Sequence, residues 1–279
     1  MKVFFSPYCL EPRNLANNQS DLKTKHGIFL RSEADFIGYA DYFPHVEFGD
    51  QSIAEFMSTF PDLTNDYHQK ILQRLKQPLD VSESSSFKNH QLYFPGDDVE
   101  SNIIKYKLIS LEDTKFSALA DKGITLRLDA NGIFNRLGFL AFLNGLSPKD
   151  LESIEYMEDP SKDLNWDNGL VKLAEDFLQG SPTDYFIYKP NRSLFPETNK
   201  RIIFSSYMSS WLGLWQDYLE LIVKGDLTLT HGLVTPGLYT NMETIFTGNY
   251  HEGFRPDLVK IRTLLDDFEL IKWTYLCQI

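Results

Sequence analysis

Two lysines stand two residues apart in Ile103-Ile104-Lys105-Tyr106-Lys107, where a short run of β-branched and aromatic residues stops. On a strand this spacing points both ammonium groups to one face and Tyr106 to the other. Neighbouring like charges disfavour each other, which lowers the pKa of at least one lysine. Such a lysine can serve as a general base near neutral pH. Three further apolar runs also end in charge: Thr125-Leu126-Arg127-Leu128-Asp129, Ile154-Glu155-Tyr156-Met157-Glu158-Asp159-Pro160 and Tyr185-Phe186-Ile187-Tyr188-Lys189-Pro190. Asp129 and Glu158 are separated by about one strand-helix unit, so adjacent parallel strands would bring their carboxylates side by side. Hard oxygen ligands of this kind suit Mg²⁺. Each residue alone has a plainer role: solvated lysines, a helix cap at Asp129, a proline-bounded turn at Glu158, a lysine stem lying over apolar surface at Lys189. Together they describe metal-assisted chemistry that moves protons.

Side chains dispersed over several strand ends need a scaffold that gathers them, and the C-terminal face of a parallel α/β barrel does so. Strands are expected at Leu92–Phe94, Ile103–Leu108, Thr125–Asp129, Ser153–Glu158, Tyr185–Lys189 and Arg201–Ser205, with helices at Leu137–Asn144 and Leu170–Leu178 between them. The second helix places Leu170, Leu173, Ala174, Phe177 and Leu178 on one stripe. This alternation predicts βαβ units. The stretch 89–244 is well short of the about 250 residues of a full eight-unit barrel, so the barrel is expected to be abbreviated. Residues 1–88 read as a separate α+β unit: strands Lys2–Tyr8, Gly27–Glu33 and Asp35–Phe43, a polar loop at Asn14–Asp21, and helices Ser52–Phe60 and Leu63–Leu79. A serine-rich linker, Asp80–Phe87, follows. Residues 245–279 read as a helix and strand that return to the first unit.

Composition narrows the class. Hydrophobic residues make up 42% and aromatics 14%, enough for a sizeable core. The formal net charge of −12 and the lack of a basic stripe argue against a nucleic-acid partner. No apolar run of spanning length occurs, so no membrane partner is expected. Pro7 interrupts the N-terminal apolar residues before a signal peptide can form, which predicts a cytoplasmic protein, taken here as a monomer. Cys9 and Cys277 are too few for a disulfide framework. The six histidines (His26, His45, His68, His90, His231 and His251) lack ligand spacing and read as structural or surface residues. Neither a phosphate-binding loop nor a dinucleotide fingerprint is present.

Lys105-Tyr106-Lys107, Arg127-Leu128-Asp129-Ala130-Asn131, Met157-Glu158-Asp159-Pro160, Ile187-Tyr188-Lys189-Pro190 and Ser205-Ser206-Tyr207-Met208-Ser209-Ser210 occur in the order seen in the enolase superfamily. More narrowly, with Phe5-Ser6-Pro7-Tyr8 and Gly38-Tyr39-Ala40-Asp41, the chain resembles the o-succinylbenzoate synthase family. The resemblance implies an abbreviated (β/α)7β-type barrel, residues 89–244, with an α+β capping domain, residues 1–88 completed by 245–279. It implies Mg²⁺-dependent syn-dehydration of 2-succinyl-6-hydroxy-2,4-cyclohexadiene-1-carboxylate to o-succinylbenzoate in menaquinone biosynthesis, with a small-molecule carboxylate as the only partner.

Carried over to this chain, Lys107 is the implied base, Lys105 its neighbour at the substrate carboxylate, and Lys189 the lysine facing them from the other side. Asp129 and Glu158 are implied Mg²⁺ ligands. Ser205 and Ser206 are implied substrate contacts, with Arg127 and Asn131 in support. The family also places an Asp between the glutamate and lysine strands. Asp167 is the expected third ligand from its spacing before Lys189, but it follows Glu158 by so few residues that Asp176 and Asp184 stay open. Two other readings remain: an N-acylamino-acid racemase or dipeptide epimerase of the same superfamily, and a degraded barrel that only binds a ligand.

Overall fold

The computed structural model describes residues 1–12, 24–162, 169–176 and 183–279. Three antiparallel strands open the chain, β1 (Lys2–Leu10), β2 (Lys25–Glu33) and β3 (Ile37–Tyr42), followed by helices α1 (Ile53–Thr59) and α2 (Asp66–Leu75). Ser52 and Glu55 form a capping box at the start of α1, and Asn65 caps α2 by accepting from the backbone N–H of Tyr67 and His68. Ile71, Leu72 and Leu75 of α2 are buried against Val3, Ile28, Leu30, Ala40 and Tyr42 of the sheet. The last strand of the chain, here β15 (Thr274–Gln278), pairs antiparallel with β1 to give the order β15-β1-β2-β3. The C-terminus thus returns to this first sheet.

The second body is a parallel sheet built in chain order. Its members are β4 (Lys88–Asn89), β5 (Gln91–Tyr93), β6 (Ile103–Lys107), α3 (Ser117–Ala120), β7 (Thr125–Asp129), α4 (Arg136–Gly145), α5 (Pro148–Ser153), β8 (Ile154–Glu158), β9 (Leu173–Glu175), β10 (Tyr185–Tyr188), β11 (Arg201–Phe204), α6 (Trp211–Lys224) and β12 (Thr230–His231). Strands β5 to β11 form one sheet with sequential neighbours. The short β12 links its two edges: Gly232 N–H donates to Phe204 O at 2.8 Å on one side, and β12 pairs parallel with β4 on the other. Only His90 separates β4 from β5, so the two act as one strand with a neighbour on each side. A hairpin of β13 (Phe246–Asn249) and β14 (Gly253–Pro256) and helix α7 (Leu258–Phe268) lead back to β15.

The barrel is abbreviated in its helices and not in its strands. Among the described residues no helix stands between β5 and β6 or between β8 and β11. The helix expected at Leu170–Leu178 is a correction: Leu173–Glu175 is the central strand β9, and Leu170, meant for its buried stripe, is 49% exposed. A central parallel strand is apolar on both faces, so three such residues match helical spacing as readily as strand spacing. The opposite omission occurs at α6, where no helix is expected from the sequence. Trp211, Leu212, Leu214, Trp215, Tyr218 and Leu221 are buried along it, a helical stripe that the sequence reading passed over.

Alternation decides what the strands present. Ile104, Tyr106, Leu108, Leu126, Leu128 and Met157 point outward onto the α3–α4 side and form one core. Tyr156, Ala174, Tyr185, Ile187 and Ile203 pack together inside the barrel. The residues sharing that inner face toward the strand ends are the charged ones.

The two bodies are joined by a buried polar seam. Arg74 of α2 donates to Asp217 of α6 at 2.8 Å and also to Asn191, while Lys70 pairs with Glu220 and donates to Tyr188 at 2.9 Å. Ser210, the N-cap of α6, donates its hydroxyl to Asp41 of β3 at 2.9 Å. A Cβ at Gly213 would stand 2.5 Å from that Asp41 carboxylate, so the close approach of α6 to the first sheet requires glycine there. Among the described residues no helix is long and apolar enough to cross a membrane.

Candidate active site

Strand register sets the inner row of charge. Lys107 is the Cα partner of Asp129, and Asp129 is the partner of Glu158. Lys105, one turn of the pleat deeper, reaches both carboxylates: its Nζ is 2.6 Å from Glu158 Oε2 and 3.1 Å from Asp129 Oδ2. The lysine pair, the aspartate and the glutamate named from the sequence therefore meet at one end of the sheet. Lys189 follows β10 directly and pairs with Asp176, which follows β9.

Asp176, one of the alternatives left open for the third acid, follows β9, the strand between those of Glu158 and Lys189. Asp167, the residue expected there, lies outside the described residues. Asp184 precedes β10 and accepts from the backbone N–H of Leu173 at 3.2 Å, at the N-terminal end of the strands and away from this cluster. Sequence reading also passed over Asp159 as no more than a turn residue. With φ of 42°, it turns back beside Glu158, and its carboxylate accepts from the backbone N–H of Asp176 at 3.3 Å. Carboxylate oxygens of Glu158, Asp159 and Asp176 all lie within 4.8 Å of one another. Asp129 joins them through the shared Lys105 ammonium.

The electrostatics follow from burial and crowding. Burial, then the charges of Asp129 and Asp176, push Glu158 up against the pull of Lys105. Asp159 is raised for the same reasons, burial first and then Asp176 and Glu158. Burial also acts on Asp129, but Lys105 and Lys107 outweigh it and hold that carboxyl below the usual range. Lys105 is opposed by burial and carried well above its ordinary value by Asp129, Glu158 and Asp176. Lys107 moves the other way. Burial lowers it, and Lys105 and Lys189 add to that against the pull of Asp129 and Glu158. The two-residue spacing thus yields two lysines of opposite character: one locked as a cation, one readier to exist as a free amine.

The residues offer what a hard divalent cation needs. Oxygen donors converge, and Asp176 Oδ1 is buried without a hydrogen-bond partner among the described residues.

The remaining expected contacts divide. Ser205 and Ser206 follow β11, next to the Lys189 strand; Ser205 N–H donates to Tyr188 O at 2.9 Å and the Ser206 hydroxyl accepts from Met208 N–H at 2.9 Å. Asn131 is exposed in the turn after Asp129, with φ of 48°. Arg127 is 1% exposed and lies inside the barrel. Its guanidinium donates to Glu155 at 2.7 Å, to Thr230 O at 2.8 Å and to His90 Nδ1 at 2.9 Å, and stacks 5.1 Å from the Tyr156 ring centre. In this arrangement it props the floor of the site and does not face its mouth.

Comparison with known proteins agrees with this geometry. Residues 3–74 match the o-succinylbenzoate synthase N-terminal domain. An o-succinylbenzoate synthase from Bdellovibrio bacteriovorus is 24% identical over 288 residues, spanning 86% of this chain and 87% of the relative. Among solved structures, an o-succinylbenzoate synthase from Thermosynechococcus elongatus BP-1, complexed with Mg in its active site, superposes with a TM-score of 0.64 at 17% identity, covering 95% of this chain and all of that one. A dipeptide epimerase from Cytophaga hutchinsonii, complexed with Mg and a dipeptide, gives 0.66 at 12% identity and 99% coverage of both chains. The capping domain plus barrel expected from the motifs is the fold these enzymes share.

Proposed function

We propose that this chain, an enolase-superfamily fold with an o-succinylbenzoate synthase N-terminal domain, is a Mg²⁺-dependent carbon–oxygen lyase that dehydrates 2-succinyl-6-hydroxy-2,4-cyclohexadiene-1-carboxylate to o-succinylbenzoate. The observation that carries the reading is the single charged cluster formed by Lys105 and Lys107, Asp129 and Glu158, and the Lys189–Asp176 pair. Asp129, Glu158 and Asp176 would hold the cation, with Asp159 beside them. Bound there, Mg²⁺ would neutralise negative charge that builds on the substrate carboxylate as the α proton leaves. With Lys107 as the free amine, two lysine ammonium groups face these four carboxylates, and a divalent cation would offset the remaining negative charge.

Lys107 is the base. Its lowered pKa leaves more of it as the free amine, which takes the α proton; the ammonium so formed then gives that proton to the departing hydroxide, so water leaves from the face on which the proton was taken. Lys105, fixed as a cation by two carboxylates, orients the acid row and favours the amine form of Lys107. Lys189 faces the reacting carbon from the β10 side as a cation. Ser205 and Ser206 are positioned for the succinyl end. The reading brings with it a role in menaquinone biosynthesis, a cytoplasmic location and a monomeric enzyme.

A second reading has its own support. The superposition on a dipeptide epimerase is as good as that on the synthase, and two opposed lysines serve epimerisation equally well. The experiment is direct. Purified protein with Mg²⁺ should consume the cyclohexadiene substrate with loss of its diene absorbance, and EDTA should stop it. No turnover in excess Mg²⁺, together with solvent deuterium entering dipeptides or N-succinyl amino acids, would replace the lyase by the epimerase.

A further inference from the structure

Tyr207 lies in the Ser205–Ser210 segment and is 3% exposed. Its ring carries the Lys189 ammonium 5.9 Å from its centre and the Arg192 guanidinium at 5.0 Å, both within the range of a cation–π contact. The same residue is held by the loop that follows β3 in the first body. Tyr207 hydroxyl donates to Asp50 Oδ2 at 2.9 Å, and Asp50 Oδ2 also accepts from His45 N–H at 2.8 Å. His45 Nε2 lies 2.9 Å from Tyr207 O. A carbonyl only accepts, so Nε2 carries the proton and Nδ1 is left to accept from Lys25, 3.0 Å away. The His45 ring meets the Tyr207 ring edge-on at 4.7 Å. Tyr207 is therefore fixed at its hydroxyl, its carbonyl and its edge by one body while its ring supports a lysine of the other.

We propose that Tyr207 is a positioning residue that couples the capping loop at 45–50 to Lys189, so that the second active-site lysine is aimed only when the cap is seated. This rests on the functional reading above for Lys189 as a participant. Among the described residues Lys189 forms an ion pair with Asp176, a residue assigned to the cation. Whenever Asp176 is engaged elsewhere, the aromatic face remains as the surface that defines the ammonium's place.

Tyr207→Leu should lower kcat roughly tenfold, the scale of a partly buried cation–π contact, with KM changed by less than about twofold and Mg²⁺ affinity unchanged. Tyr207→Phe keeps the ring but removes the hydroxyl that Asp50 holds, so it should recover part of kcat and retain a loss of a few-fold. Asp50→Asn keeps the fold of the loop while weakening the hydroxyl tether, and should lower kcat a few-fold. Crystal structures of Tyr207→Leu and Asp50→Asn should show Lys189 Nζ displaced. A Tyr207→Leu enzyme with wild-type kcat, a Phe variant as impaired as the Leu variant, or an unmoved Lys189 in Asp50→Asn would each overturn the proposal. Absence of turnover by the wild-type protein would sink the functional reading instead, and the position of Lys189 in the two variant structures would still decide the role of Tyr207.

Discussion

Lys107 and Lys105 share the inner face of β6, yet their surroundings drive them apart: Lys105 touches two carboxylates, whereas burial and two neighbouring ammonium groups lower Lys107. Replacing Lys107 by alanine should therefore cut kcat by about 10²–10⁴ while Mg²⁺ still binds, because the change removes the base and none of the carboxylates. Steady-state kinetics and calorimetry on the variant check this, and activity near that of wild type would show that the base is another group. Lys105, Lys107, Asp129, Glu158 and Lys189 were legible because each ends an apolar run long enough to read as a strand. Asp176 was legible only as one of two alternatives, since Leu173-Ala174-Glu175 is too short to announce a strand end. Asp159 was hidden by its place before Pro160, where a turn explains it fully. Arg127, read from the sequence as a supporting residue, is buried inside the barrel beneath the charged row.

At the level of elements, the strands that were expected lie within two residues of those observed, whereas β4, β9, β12, β13 and β14 were not expected and the helices fared less well. Strands of this barrel bear their signature locally, in β-branched and aromatic runs that stop at a charge or proline. Helix α6 has an apolar stripe that the sequence reading passed over, and β9 is too short to show a period. Strands β4 and β12, which close the seam beside β5, were also missed, each being two residues long. His90 and His231 belong to this seam. His231 Nδ1 accepts from Phe204 N–H at 3.2 Å while Nε2 donates to Asp226 O at 3.1 Å, and His90 Nδ1 accepts from Arg127. Both rings are thus held neutral. Burial lowers His231 from 6.5 to about 4, and burial with the charge of Arg127 lowers His90 well below its ordinary value. An unfolded chain gains protons below pH 6.5 that these rings refuse, so their contribution to stability falls as pH drops below about 6.5, by about 1.4 kcal/mol per pH unit for each histidine. The raised Glu158 and Asp159 act in the opposite sense, so the seam is read as a difference: the stability gap in urea between the protein and a His231→Asn variant should narrow from pH 7 to pH 5, and a constant gap would mean that the seam opens to solvent.

For the whole molecule, the two ends of the chain meet in one sheet, where Lys2 is the Cα partner of Gln278. The seam of Lys70, Arg74, Asp217 and Glu220 then locks that body onto the barrel. The return of the C-terminus was legible from its helix and strand pattern, but the seam was not. Its members are scattered lysine, arginine and acidic residues that a surface would explain as readily, and only burial distinguishes them. The abbreviated barrel with its cap is the architecture that the ordered motifs imply, because motif order reflects the order of strand ends round a barrel. What the whole arrangement asserts is that ends of three neighbouring strands, β7, β8 and β9, build one divalent-cation centre between opposed lysines. A crystal structure of the protein grown with Mg²⁺ tests this most directly. Carboxylate oxygens of Asp129, Glu158 and Asp176 should each stand roughly 2.0–2.1 Å from the ion, with Lys107 and Lys189 on opposite sides of it. An ion bound elsewhere, or ligated by Asp167 with Asp176 still paired to Lys189, would contradict the account.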